Sequence, residues 1–242
     1  NIALNPSGLI AQTTAVIANQ LTEATILRAV YSKRGLYQRM VEFWTDHFNI
    51  DIRLGNIAYL KLPDDRDVVR ANAMGTFAQI LNASAHSPAM LSYLDNDTST
   101  ASSPNENYAR EIMELHTLGV NGGYTQTDVE QVARCFTGWA LYDITAGNGA
   151  LAGTYRYVAN SHRTGTKTIF AGTPQQLNIP DRGTVNGVQD GADVLNALVN
   201  HPSTAGFIAK KLAKWFLGET VPQQTIDEIA FQTSLLALNA GV

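Results

Sequence analysis

Two segments of the chain have the spacing of amphipathic helices, and each carries an ionisable residue inside the stripe that should face the core. In the first segment, 36–48, His47 falls on the same side as four apolar side chains, which are Leu36, Met40, Phe43 and Trp44. An isolated charge is too costly to bury, so such a group pairs, ligates a metal or changes its pKa. The pattern therefore predicts a polar pocket inside a helical protein.

The second helix is predicted over 103–119, with a capping box from Ser103 to Glu106 at its start. Glu111 lies inside its apolar arc, which consists of Tyr108, Ile112, Leu115 and Leu118. Asn107 precedes Glu111 by one turn, and Glu114 follows it on the same flank. One edge of this helix therefore presents an amide and two carboxylates.

Two interpretations of these polar residues stay open at this point. Asn107, Glu111 and Glu114 are predicted to run proton transfer, with a divalent cation held by Glu111 and Glu114 as an alternative. Glu111 is instead a structural residue if Arg66 or Arg70 reaches it to form a buried ion pair.

His47 has the same two alternatives. It is either a catalytic or metal-binding residue beside Glu111, or a core histidine that bonds a backbone carbonyl. His116 is predicted to point to another face.

Composition excludes several classes of protein. The chain has 242 residues with a net charge of −4 and a pI near 5.7, and no basic run, which argues against nucleic acid as a partner. No stretch approaches the roughly 18 apolar residues of a membrane span. The lone Cys135 excludes an internal disulfide and a cysteine-based zinc site, and it is predicted to be a small buried hydrophobe rather than a reactive thiol.

The periodicity predicts a mainly α fold, a multi-helix globular bundle with a small β-hairpin or loop insertion. Helices are predicted over 1–140, although 49–62 is interpreted as irregular and Pro63 as the start of a helix that reaches Asn82. A capping box from Thr127 to Glu130 is predicted to open another helix. The insertion covers 141–189, and C-terminal helices over 190–242 are predicted to pack on the first part.

The insertion, together with Trp139 just before it, contains a second group of candidate residues. We expect a hairpin between Gly153–Asn160 and Lys167–Phe170. His162, beside an arginine, a glycine and Lys167, is typical either of an anion-binding loop or of a solvated turn. His162, Lys167 and Trp139 are the predicted substrate-binding residues. No nucleotide-binding glycine motif, nucleophile elbow or metalloprotease motif is present.

Several runs resemble the bacterial domain of unknown function family 1800. They are Val41-Glu-Phe-Trp-Thr-Asp-His-Phe-Asn49, Ser87-Pro-Ala-Met-Leu-Ser-Tyr-Leu-Asp-Asn96, Pro104-Asn-Glu-Asn-Tyr-Ala-Arg-Glu-Ile-Met-Glu-Leu-His-Thr-Leu-Gly119, Phe136-Thr-Gly-Trp139 and Phe207-Ile-Ala-Lys-Lys-Leu212. One departure concerns the insertion, where Arg163 follows His162 at a position at which the family usually has an acid. This change weakens a metal or base role for the loop.

The resemblance implies that the chain is an internal piece of a longer, exported bacterial protein, located in the periplasm or outside the cell. It also implies a neighbour protein similar to sulfatases, and a polysaccharide or surface component as partner. No settled activity comes with the family. Two hypotheses follow: a hydrolase-like enzyme that acts on an extracellular polymer through His47, Glu111 and Asn107, or a non-catalytic structural or binding module in which these residues form a buried ion-pair network.

Overall fold

The computed structural model describes residues 4–146 and 148–239, with side chains described up to residue 232. The described residues form eleven α-helices and two two-stranded sheets, which confirms the predicted mainly α fold with a small β insertion. The helices are α1 (Pro6–Leu9), α2 (Thr14–Tyr31), α3 (Gly35–His47), α4 (Ile57–Pro63), α5 (Phe77–Ala85), α6 (Pro88–Tyr93), α7 (Glu106–Glu114), α8 (Gln126–Phe136), α9 (Val188–Val199), α10 (Pro202–Leu217) and α11 (Gln223–Asn239).

The region before α5 differs from its prediction. The irregular segment predicted over 49–62 ends in α4, and Pro63 closes this helix instead of opening one. A π-helical stretch, Asp64–Arg70, follows directly. Asp64 is buried and accepts a hydrogen bond from Lys61, so it serves an ion pair rather than the dipole of a new helix.

The start of α7 also lies later than the capping box predicted between Ser103 and Glu106. Asn105 is the residue at the helix start, and its side chain accepts a hydrogen bond from the backbone N–H of Tyr108 at 2.9 Å. The Asn105 amide also donates to the Leu94 carbonyl. Asn105 therefore caps the N-terminus of α7 and also fixes this helix to the end of α6. Ser103 makes neither of these contacts.

The capping box of α8 was predicted two residues too late. The structure uses Thr125 and Asp128 rather than Thr127 and Glu130. Both pairs have the required spacing, so local sequence does not separate them. The box with Asp128 forms because this residue is buried and its other carboxylate oxygen accepts a hydrogen bond from the backbone N–H of Phe170 at 2.6 Å.

The predicted hairpin in the insertion is wrong, because its two strands pair with other partners. β1 (Trp139–Leu141) pairs antiparallel with β2 (Tyr155–Tyr157), and β3 (Lys167–Ile169) pairs antiparallel with β4 (Leu177–Ile179). The residues between β2 and β3 are therefore a connection between sheets and not a hairpin turn. The division at 140 and 189 stays a prediction, although the largest buried apolar cluster contains side chains from all three predicted segments.

Trp139 joins the insertion to α9. Its side chain is fully buried, and it packs edge-to-face against Phe136 and Tyr155. Gly191 of α9 approaches the indole so closely that a β carbon added there would lie 2.3 Å from a ring atom. This helix needs a glycine at the contact because the tryptophan occupies the space of a side chain.

We predict opposite effects for the same substitution at two helical glycines. Gly191→Ala should lower the free energy of unfolding by about 1–3 kcal/mol because the methyl group overlaps Trp139. Gly206→Ala in α10 should raise it by about 0.5–1 kcal/mol because open space surrounds that position. Urea denaturation of the two variants measures both, and equal effects would contradict this packing.

Candidate functional site

His47 is the last residue of α3, and the helix buries it together with Val41, Phe43 and Trp44. The predicted stripe is therefore largely correct, except that Leu36 is 61% exposed. The imidazole stacks on Phe43 and contacts Trp44 edge-on. This aromatic packing holds the ring in one orientation.

Both ring nitrogens of His47 have partners. Nε2 lies 3.0 Å from the backbone carbonyl oxygen of His116, and Nδ1 lies 2.9 Å from Nζ of Lys211. A carbonyl only accepts and an ammonium only donates, so Nε2 carries the proton and Nδ1 accepts from Lys211. The imidazole is therefore neutral.

The electrostatics agree with this tautomer. Burial lowers the pKa of His47 well below its usual value, and the positive charge of Lys211 lowers it further. Burial likewise lowers the pKa of His116 to about 3. Burial also lowers the pKa of Lys211, with Asp46 acting in the opposite direction.

Glu111 lies on α7 and is half-buried. Neither arginine considered as its partner reaches it, because Arg66 pairs with Asp67 and Arg70 pairs with Asp65. No residue in the described part of the chain donates a hydrogen bond to its carboxylate. Burial raises the pKa of Glu111 and the charge of Glu114 raises it further, while Arg110 lowers it.

One open pocket of about 810 Å³, here called the His47 pocket, brings the three predicted catalytic residues together. Its walls come from the end of α3, from α6, α7 and the residues after it, and from α10. Its polar lining residues are Asp46, His47, Asn49, Tyr93, Asn107, Glu111, His116 and Lys211, and its apolar ones are Leu94, Leu115 and Phe207.

Two polar residues of this pocket were missed or misplaced in the sequence analysis. Lys211 was not considered, although Phe207 and Lys211 are four residues apart and so share a face of α10. His116 was placed on another face because a continuous helix was assumed. The helix ends at Glu114, and the His116 N–H bonds the Glu111 carbonyl five residues back, which turns His116 inward.

The three predicted substrate-binding residues do not line the His47 pocket. His162 and Lys167 are buried, and both contact the carboxylate of Asp190 in α9, at 3.3 Å and 2.6 Å respectively. Arg182 reaches the other oxygen of Asp190 at 2.7 Å. Burial alone would raise the pKa of Asp190, but these three hydrogen bonds outweigh it and lower the pKa to about 2.

The Asp190 cluster, which consists of His162, Lys167, Arg182 and Asp190, therefore ties α9 to the insertion. The His162 ring also packs against Gly187, where an added β carbon would overlap it. Trp139 is fully buried next to the same helix. In this structure all three predicted residues act in packing, and their substrate-binding role stays a prediction.

Glu111 and Glu114, the two residues predicted to bind a metal ion, do not form part of a metal site in the described structure. Glu114 accepts a hydrogen bond from the Tyr124 hydroxyl at 2.9 Å and does not line the His47 pocket. Within residues 4–146 and 148–239, no three His, Cys, Asp or Glu side chains group closely enough to hold a metal ion. Glu111 and Glu114 thus lack a third ligand of these types among the described residues.

These observations define a mainly α-helical protein with an open pocket of acidic, basic and amide groups. The chain belongs to the family described as "Protein of unknown function (DUF1800)", which matches residues 9–235. No curated protein and no solved structure matches it. None of the described helices is both long and apolar enough to cross a membrane.

Asp190→Asn should cost about 3–5 kcal/mol of unfolding free energy, because it leaves Lys167 buried without its charge partner. Asp193→Asn is the matched control, since Asp193 lies on the same helix and pairs with the same Arg182 but is partly exposed. Its loss should stay below about 1 kcal/mol. Chemical denaturation measures both, and similar losses would contradict the central role of Asp190.

The raised pKa of Glu111 predicts how stability depends on pH. The folded state favours the protonated carboxyl more than the unfolded state does, so this residue's contribution is present at low pH and is lost as pH rises through its folded pKa. Glu111→Gln should therefore be at least as stable as the unsubstituted protein at pH 7, and its advantage should shrink as the solution is acidified. Thermal melts across pH measure this, and marked destabilisation at pH 7 would show that Glu111 is a structural ion-pair residue.

Proposed function

We propose that the chain carries the active site of an enzyme that uses acid–base chemistry in the His47 pocket to hydrolyse an extracellular polymer. One observation carries this proposal: Glu111 is a half-buried carboxylate with a raised pKa, it faces an open pocket, and no described side chain donates a hydrogen bond to it. A carboxylate that served as a structural ion pair would have a cationic partner, whereas Arg110 on the same helix pairs with Glu106.

Glu111 is the proposed proton donor. Because its pKa is raised, a larger fraction stays protonated towards neutral pH, as general acid catalysis requires. In the proposed reaction the protonated Glu111 donates to the oxygen of the leaving group, and water supplies the group that replaces it. The same residue then accepts a proton from water when the cycle closes.

Lys211 and His47 have a different proposed role from Glu111. The ammonium of Lys211 donates one hydrogen bond to His47 and leaves its other N–H groups without a described acceptor. Such a cation stabilises negative charge that develops on the substrate. His47 is then a positioning residue, because both of its nitrogens are occupied and its contact with substrate would run through Lys211.

The polymer substrate and the location of the protein belong to the same proposal. The pocket is open and falls within the volume range of roughly 300–1,000 Å³ that holds small organic groups, so one unit of a longer chain would fit while the rest extends outside. Asn107, at an exposed position on its wall, offers an amide to hydroxyl groups. The periplasmic or extracellular location, the polysaccharide substrate and the sulfatase-like neighbour rest on the family resemblance.

The second candidate function is a structural module, and the Asp190 cluster favours it. This cluster is a buried ion-pair network of the kind that the structural hypothesis requires. It does not include Glu111 or His47, however. The structural hypothesis therefore accounts for the insertion but leaves the polar groups of the His47 pocket without a purpose.

Release of reducing ends from a panel of neutral and acidic bacterial polysaccharides tests the proposal. Glu111→Gln should reduce the rate by about 10²–10⁴-fold because it removes the acid and base. Glu106→Gln is the control, since Glu106 lies on the same helix, is exposed and does not line the pocket. A panel without any hydrolysis, or a Glu111→Gln variant with full activity, would refute the proposed function.

A further inference from the structure

The second half of α2 leaves a group of large apolar side chains outside the protein core. Ile26, Leu27, Val30 and Tyr31 are between 56% and 76% exposed. Two of them follow the other two by four residues, so all four lie on one side of the helix over two turns. Exposed apolar residues that stand alone are common, but a contiguous group of this kind marks an interaction surface. We call these four residues the α2 patch.

The helix packs on the rest of the chain with its other side. That side contacts α3 and α4, and Ile17 is buried there. Arg28 also turns to that side, where its Nη1 lies 3.5 Å from the Asp65 carboxylate. Thr22 and Thr25 each donate a hydrogen bond from the hydroxyl to the carbonyl four residues earlier, at 2.9 Å and 2.8 Å. Another protein surface therefore covers the α2 patch without separating these polar groups from their partners.

One charged residue stands at each end of the α2 patch. Glu23 lies three residues before Ile26, and Lys33 lies three residues after Val30. Both are exposed, and neither forms an ion pair within the part of the chain that the structure describes. The two residues are equally far from Arg28, which is the middle of the segment. The patch is therefore apolar in its centre, acidic at one end and basic at the other.

This arrangement is complementary to a second copy of itself. In a two-fold symmetric contact, a residue that touches a different residue of the partner is touched by that same residue in return. If two α2 helices pack antiparallel about Arg28, Ile26 faces the partner's Val30, and Glu23 faces the partner's Lys33. A parallel arrangement would place Glu23 opposite the partner's Glu23, which is a like-charge contact. The charges therefore favour the antiparallel pair.

We propose that the α2 patch is the interface of a homodimer, in which α2 packs antiparallel on α2 of a second copy of the chain. Burial of the apolar centre drives the association, and the Glu23–Lys33 pairs at the two ends set its direction. Two helical turns bury less than the roughly 1,200 Å² of a standard interface, so the dimer is weak and reversible. None of these residues lines the His47 pocket, and the dimer does not depend on the proposed function.

Two exposed valines provide a matched pair of variants. Val30 is 66% exposed in the patch, and Val185 is 75% exposed in the connection before α9. Sedimentation of the unsubstituted chain from about 5 to 500 µM should show the average mass rising from 26.2 kDa towards twice that value. Val30→Glu should weaken dimerisation at least about tenfold because it brings two carboxylates into the apolar centre, and Val185→Glu should leave dimerisation unchanged.

A charge exchange tests the direction of the two helices. Glu23→Lys alone and Lys33→Glu alone should each weaken the dimer at least about threefold at low salt, because each places like charges at both ends of the interface. The double variant Glu23→Lys/Lys33→Glu restores opposite charges at both ends, so it should return the affinity to that of the unsubstituted chain. These charge effects should shrink as salt is added.

Three results would overturn the proposal. A monomeric mass at every concentration would show that a second copy does not cover the α2 patch. Equal losses in Val30→Glu and Val185→Glu would place the interface elsewhere. A dimer that tightens with Glu23→Lys alone would contradict the antiparallel direction. Because the measurement uses no substrate, the outcome of the hydrolysis assay does not affect it.

Discussion

The hydrogen-bonded chain from Lys211 through His47 to the His116 carbonyl is the interaction on which the candidate site depends. It joins α10, the end of α3 and the turn after α7, although Lys211 and His47 are 164 residues apart in sequence. Each link specifies the next, because the carbonyl requires a proton on Nε2 and this leaves Nδ1 to accept from the ammonium. The packing of three helices thus sets the protonation state of one imidazole.

Charged side chains in this molecule are either hydrogen-bonded within a closed network or left without a described partner beside a pocket. In the Asp190 cluster, the carboxylate receives hydrogen bonds from Lys167, His162 and Arg182, so the network is closed and serves to hold α9 on the insertion. In the His47 pocket, by contrast, no described side chain donates a hydrogen bond to Glu111, and Lys211 has N–H groups without a described acceptor. Polar groups without a described partner, next to open space, are the physical basis of the proposed active site.

The charged groups of the His47 pocket have separate roles in the proposed chemistry. Glu111 supplies both the acid and the base, whereas Lys211, whose ammonium donates to His47, supplies a fixed positive charge in the same pocket. Asn107 adds a neutral amide to the wall. The two charged groups come from different helices, Glu111 from α7 and Lys211 from α10, so their placement in one pocket depends on the packing of these helices.

The sequence by itself determined the helices and the presence of polar residues on their buried faces, because a period of 3.6 residues and an isolated charge are local properties. It marked His47, Glu111 and Asn107, which the fold brings to one pocket. Only the tertiary structure decided the partners. The basic residue that lines this pocket is Lys211, and neither Arg66 nor Arg70 lines it. His162 and Lys167 instead contact the carboxylate of Asp190. Strand pairing and the choice between equivalent caps were decided likewise, since these depend on long-range contacts that no local spacing encodes.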